Sequence, residues 1–252
     1  MKKMRRYRLR GETGYAEVEG GLLRPLTGSI AAGFVPTGET LRPDQVELLP
    51  PIAPGKIVGI GLNYRDIPAD VIPPEEPKLF LKSPQAVIRS GETIRYPGYI
   101  DRLTCEVELA VVIGKETKNV SVEEAMDSVF GYFAADDVTS NDLQDRDTVW
   151  GRAKNFDTFL PVSDYLVTGI DVAALPMRSY LNGELALESS TARMIRSVPE
   201  LISFVSGVMM LCPGDVIITG TPTGWGIRVR DGDRVRLEID GVGAVESGVQ
   251  LI

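Results

Sequence analysis

The chain predicts a mainly β, α+β fold, and three observations carry that expectation. Short runs alternating apolar and polar residues recur along most of the length. Only two stretches show helical spacing. Strands do not alternate regularly with helices, which argues against a doubly wound parallel sheet. A length of 252 residues suits one large domain, or a large domain with a small appendage.

The elements follow in order. Met1-Lys2-Lys3-Met4-Arg5-Arg6 starts like the basic part of a signal peptide, but the residues after it alternate and carry charge, so it leads into a strand. Tyr7 to Arg10, Tyr15 to Glu19 and Leu22 to Leu26 read as short strands, with a turn at Gly20-Gly21. Pro50-Pro51-Ile52-Ala53-Pro54-Gly55 is a stiff boundary. It divides a small β-rich N-terminal domain, residues 1–54, from a main domain, residues 55–252.

Lys56 to Gly61 is an apolar strand leading into Leu62-Asn63-Tyr64-Arg65-Asp66. Ile67 to Pro77 holds four prolines, cannot sustain a regular element, and is expected as a mobile, lid-like loop. Lys78 to Lys82 and Gln85 to Ile88 are further strands. Ser121 to Val129 has a capping-box start with Val122, Ala125, Met126 and Val129 at helical spacing, which predicts a short helix. Ser197 to Met210 predicts the second helix, with a Ser197 cap and Pro199 in its first turn. Asp215 to Leu251 is strand-rich with Gly-Asp turns.

Composition narrows the chemistry. The chain has no histidine, which excludes imidazole-based zinc, a Ser-His-Asp triad and a His general base. A formal charge of −8 leaves no electrostatic footprint for nucleic acid or an anionic membrane surface, and no apolar run is long enough to span a bilayer. Cys105 and Cys212 are too few for a disulfide framework and read as buried free thiols. The expected compartment is the cytoplasm and the expected partner a small molecule.

One pattern carries specific chemistry. In Thr104-Cys105-Glu106-Val107-Glu108-Leu109-Ala110-Val111-Val112-Ile113-Gly114, strand alternation puts Cys105, Val107, Leu109, Val111 and Ile113 on one apolar face and both glutamates on the other. Alone, the pair reads first as the solvated face of an amphipathic strand. Two carboxylates on one rigid element also suit a hard divalent cation such as Mg²⁺ or Mn²⁺. A second strand, Gly131 to Val138, ends in Asp136-Asp137, where a third carboxylate could close the site or simply cap a turn.

Six ordered segments resemble the fumarylacetoacetate hydrolase family. They are Gly61-Leu62-Asn63-Tyr64, Phe80-Leu81-Lys82, Glu106 to Gly114, Asp137 to Gln144, Lys154-Asn155-Phe156-Asp157-Thr158-Phe159 and Thr219-Gly220-Thr221-Pro222-Thr223-Gly224. The resemblance runs from about Lys56 to the C-terminus. It implies a mixed β-sandwich roll, usually dimeric, preceded by a small N-terminal domain and acting on small 2-oxo or β-diketo acids. It implies Glu106, Glu108 and Asp137 as ligands of Mg²⁺ or Mn²⁺, Lys154 as a contact to metal-bound water or substrate, and Gln144 and Thr221 as substrate contacts. The Gly-rich turn around Thr221 offers backbone amides to a carboxylate. Lys82 is conceivable as an anion contact but is not counted among the site residues.

The chain departs from the family pattern in two places. Hydrolytic members usually carry a His and, three residues later, a Glu in the lid; here those positions hold Ile67 and Asp70. Asn141 stands where members commonly have Arg. Asp66 or Asp70 would need large environmental tuning to replace an imidazole base. Enolate chemistry without water attack survives these losses best. The expected order is therefore isomerisation or tautomerisation first, decarboxylation next and C–C hydrolysis third, with a metal-binding homologue that has lost turnover as the competing class. The catalytic candidates are Lys154 and Asp70.

Overall fold

The computed structural model describes residues 1–252. Alternation along the N-terminal segment is realised as the antiparallel strands Lys2–Leu9, Glu12–Glu19 and Leu22–Ser29. The turns between them fall at Arg10-Gly11 and Gly20-Gly21, all four with positive φ, the geometry of tight hairpins. The basic start is thus part of the first strand itself. Gly33–Pro36 pairs at the outer edge.

These strands continue the main sheet. Lys2, Lys3 and Met4 pair with Thr168, Val167 and Leu166. From there the order runs through Val129–Asp136, Val107–Ile113, Val216–Ile218, Ile57–Gly61 and the edge strand Lys78–Lys82, in a mixed 13-stranded sheet. Arg5, nearly buried, ties the N-terminal segment further through a 2.9 Å bond to Asp164 and by lying over the Tyr165 ring. A three-stranded sheet and a five-stranded sheet complete a mainly β architecture.

Strand Val107–Ile113 lies at the centre, and both of its faces are buried. Val107, Leu109, Val111 and Ile113 enter the larger core, which includes the five-stranded sheet's Val235, Leu237 and Val245 and the helix residues Leu201, Ile202 and Val205. Ala110 and Val112 enter a second core with Met4, Ile57 and Phe133. The alternation expected from the sequence is present, but the glutamate side faces protein and not solvent.

Helix Val198–Val208 forms as expected, with Ser197 as cap and the Glu200 carboxylate accepting from the Ser197 amide at 2.7 Å. The helix expected over Ser121 to Val129 does not form. Residues 122–124 are a turn and Ala125–Ser128 one 3₁₀ turn. Ser121 and Glu124 make their capping contacts, but Val122 and Met126 stay exposed, so no apolar face anchors so short a helix. Cys105 is buried as expected; Cys212, expected buried, is exposed. Residues 67–77 hold no regular element, and no helix is long and apolar enough to cross a membrane.

Candidate active site

The Glu-x-Glu stretch is not one strand. Leu103–Cys105 pairs in the three-stranded sheet, Val107–Ile113 pairs in the main sheet, and Glu106 is the joint between them. The joint is held by reciprocal bonds: the Glu106 amide donates to Asp136 Oδ1 at 2.8 Å, and the Asp137 amide donates to the Glu106 carbonyl at 2.9 Å. Asp136 therefore braces the backbone, and Asp137 turns inward. Ligand oxygens of Glu106, Glu108 and Asp137 lie within 4.8 Å of one another, all buried. Three hard oxygen donors at that spacing fit a divalent cation such as Mg²⁺ or Mn²⁺.

The Gly-rich turn completes the wall. Gly220, at φ +92°, donates its amide to Glu108 Oε2 at 2.7 Å, so that amide serves the glutamate and is not left for a substrate carboxylate. Gly226 is required for a different reason. A Cβ there would meet the Cys105 carbonyl at 2.1 Å and Glu106 Cγ at 2.7 Å. Between them, Thr221 Oγ1 is buried without a hydrogen-bond partner.

Two lysines meet the carboxylates. The short helix Gly151–Lys154 delivers Lys154, whose Nζ donates to Asp137 Oδ2 and Thr139 Oγ1 at 2.6 Å each and to Glu106 Oε2 at 3.1 Å. Lys82, conceivable from sequence only as an anion contact and not counted in the site, donates to Asp137 Oδ1 at 2.5 Å with its side chain fully buried. The structure makes position 82 the buried end of its strand, which the sequence does not mark, and a lysine buried there is kept by its ionic partner.

The electrostatics follow from this geometry. Burial pushes the Glu106 carboxyl up despite the Lys154 ammonium, and burial followed by Asp137 repulsion pushes Glu108 well up. Burial acts the same way on Asp137, but the two ammonium groups outweigh it and hold that carboxyl below the usual range. Burial lowers Lys82, which faces one carboxylate closely and is repelled by Lys154. Burial would lower Lys154 too, but three carboxylates together raise it. Lys154 is therefore held as a cation.

Glu106, Glu108, Asp137, Lys154, Gln144 and Thr221 all line one cavity of about 260 Å³, together with Phe80, Trp150 and Trp225. Asp70 is not among the lining residues and is exposed. Asp66 is committed elsewhere, accepting from Ser189 and pairing with Arg193. Ile67 approaches Gly224 at the cavity wall. Asn141 lies behind the site: Thr104 Oγ1 is 3.0 Å from Asn141 Oδ1 and 3.3 Å from Glu106 Oε1, and Asn141 Nδ2 donates to Gln144 Oε1 at 3.4 Å. A larger concavity, about 940 Å³, lies against the five-stranded sheet. There Arg236 is paired with both lining glutamates, Glu238 and Glu246, and the smaller cavity is where the chemistry concentrates.

Comparison with known proteins identifies the family and the fold. The family model described as fumarylacetoacetate (FAA) hydrolase C-terminal matches residues 56–250, and a model described as Rv2993c-like, N-terminal, matches residues 2–51. The crystal structure of 2-hydroxyhepta-2,4-diene-1,7-dioate isomerase from Mycobacterium marinum superposes with a TM-score of 0.90 at 34% identity, covering 100% of this chain and 99% of that one. That of 5-carboxymethyl-2-hydroxymuconate delta-isomerase from Mycobacterium smegmatis gives 0.90 at 33% identity, covering 99% and 100%. The mitochondrial oxaloacetate tautomerase fahd2 of Xenopus laevis is 39% identical over 83% of this chain and 70% of its own length. With the family model spanning the sheets, the carboxylate triad and both lysines, the chain belongs to the fumarylacetoacetate hydrolase family.

Proposed function

We propose that this protein is a divalent-metal-dependent enzyme that isomerises or tautomerises a small 2-oxo or β-diketo acid through an enolate. The observation that carries the reading is the buried triad Glu106, Glu108 and Asp137, facing a cationic Lys154 in a cavity whose one further acid, Asp145, is paired with Arg102, so that no unpaired carboxylate is left beside the triad as a base for water. Hydrolysis needs such a base. Ile67 cannot supply it, Asp66 is spent on Arg193 and Ser189, and Asp70 lies outside the cavity lining.

The three carboxylates would hold Mg²⁺ or Mn²⁺, which when bound polarises a chelated ketone and stabilises the enolate. The chain's own residues do the rest. Lys154 Nζ holds a proton beside the ligand carboxylates and faces charge that develops on an enolate oxygen. Thr139 fixes that ammonium from behind at 2.6 Å. Thr221 Oγ1, without a protein partner, and Gln144 Nε2, whose amide oxygen already accepts from Asn141, are left to hydrogen-bond the substrate, and Phe80 and Trp150 restrict water around it. The names of the similar isomerases and of the oxaloacetate tautomerase support this order of reactions.

The experiment adds Mg²⁺ or Mn²⁺ and oxaloacetate to the purified protein and follows enol absorbance and pyruvate release together, with Glu108→Ala as control. Loss of enol without pyruvate, abolished in the variant, is the expected result. Pyruvate release would replace tautomerisation by decarboxylation. Silence with oxaloacetate and with an acylpyruvate panel would leave a binding protein.

A further inference from the structure

Lys78 opens the edge strand Lys78–Lys82 and lines the outer part of the active-site cavity. It has no carboxylate partner among the ion pairs, unlike the deeper Lys82 and Lys154. Its ammonium sits 4.0 Å from the centre of the Trp150 ring. That ring meets Phe80 edge-on at 5.8 Å, and Lys154 Nζ lies 4.7 Å from the Phe80 ring. Two aromatic rings thus join an inner ammonium to an outer one along one wall. Gly61 makes the arrangement fit, because a Cβ there would come 3.0 Å from the Trp150 ring and 3.7 Å from Lys78 Cβ.

We propose that Lys78 is the residue that selects substrates carrying a second carboxylate beyond the 2-oxo acid head. The inference rests on the reading of the cavity as a metal-dependent 2-oxo acid site. Charge supports it. At the inner end, three carboxylates are balanced by two lysines and a divalent cation, which leaves one positive charge for the 2-oxo acid head. At the outer end the remaining acid, Asp145, is paired with Arg102, so Lys78 is the uncompensated charge. A dianion matches both ends. Stacking on Trp150 keeps the ammonium at the rim at modest cost, and an exposed four-carbon stem lets it turn from the ring to a ligand.

The test uses two acids that differ only at the far end, 2-oxoglutarate and 2-oxopentanoate, titrated calorimetrically into the Mg²⁺-loaded full chain. The wild type binds 2-oxoglutarate more tightly. Lys78→Met, which keeps the stem over Trp150, weakens 2-oxoglutarate about tenfold, leaves 2-oxopentanoate within about twofold, and Lys78→Arg restores the preference. In turnover assays the Met variant raises KM for oxaloacetate and leaves kcat nearly unchanged. An equal fall for both acids, or a wild type that does not discriminate, overturns the assignment. Discrimination without turnover sinks the catalytic reading and keeps Lys78; turnover without discrimination does the reverse. Failure of both acids to bind removes both.

Discussion

Two ionic clusters in this protein use the same residue types and behave differently. On the outer face of the five-stranded sheet, Arg178 meets Glu188, Glu238 and Asp240, and Arg236 meets Glu238 and Glu246. Most of these pairs sit directly opposite in the strand registers, so they are cross-strand ladders in water. At and behind the cavity, Lys82, Lys154, Glu106 and Asp137 form pairs of similar length with side chains at most 6% exposed. Screening reduces the first cluster to a decoration of the sheet. Desolvation makes the second costly and sharply tuned. Ion pairing by itself is thus not informative here; burial around it marks the site.

The largest effect that would sharpen this contrast is on turnover. Lys154→Met removes the ammonium facing the ligand carboxylates and should lower the metal-dependent rate on the order of 10²–10⁴-fold while the fold persists by circular dichroism. A loss below tenfold would place the proton elsewhere. Asp137→Ala comes next. It leaves two buried lysines without their shared partner and should destabilise the protein by about 3–5 kcal/mol in urea unfolding.

The pH dependence follows from Asp136, whose carboxyl burial raises to about 7. Its Oδ1 is spent on the Glu106 amide and its Oδ2 is buried without a partner. Between the ordinary carboxylate value and about 7 the native state holds a proton that the unfolded chain has released, so stability falls as pH rises through that window. Glu106 and Glu108, also raised, add with the same sign in the metal-free protein. Asp136→Asn keeps the acceptor and removes the charge. It should shrink the stability difference between pH 5 and pH 8 by about 1–3 kcal/mol, as read by denaturant titration. An unchanged difference would show that Asp136 is not its source.

Mg²⁺ or Mn²⁺ should raise the melting temperature at neutral pH by relieving repulsion among the three carboxylates, and Glu108→Ala should abolish that response. The smallest effect belongs to the outer cluster. Arg236→Ala should cost at most about 1 kcal/mol, less at high salt, and leave activity unchanged. A larger cost there would collapse the distinction between the two clusters.

The strand content and the glutamate pair were legible because both rest on local spacing, whereas Asp137 joined them as a ligand only through the resemblance. Glu106 and Glu108 are two apart, and an apolar alternation around them is visible without knowing any partner strand. Lys154 and Thr221 were reached through resemblance of ordered segments, and the structure sets both on the cavity. What stayed hidden depends on partners distant in sequence. The break at Glu106 arises because Leu103–Cys105 pairs with Ile227–Val229 while the next residues pair with Val129–Asp136. Lys82 reads as an ordinary strand end until Asp137, 55 residues away, is beside it. Ser121 to Val129 carried valid capping chemistry, but of its apolar residues Val122 and Met126 found no core to cover them.

The pairing of Lys2–Met4 with Leu166–Thr168 has a practical consequence for anyone dissecting this chain. The first strand is the neighbour that closes the open side of Leu166–Thr168, two strands from Val107–Ile113 and its glutamate. Truncating the protein at the proline-rich boundary would strip that cover and uncap Phe133 and Leu166, which share a core with Met4. A ragged, sticky edge would remain, prone to pairing with other copies. The fragment that looks like a self-sufficient catalyst would then be recovered as aggregate, and any shortened form of this protein has to keep its first strand intact.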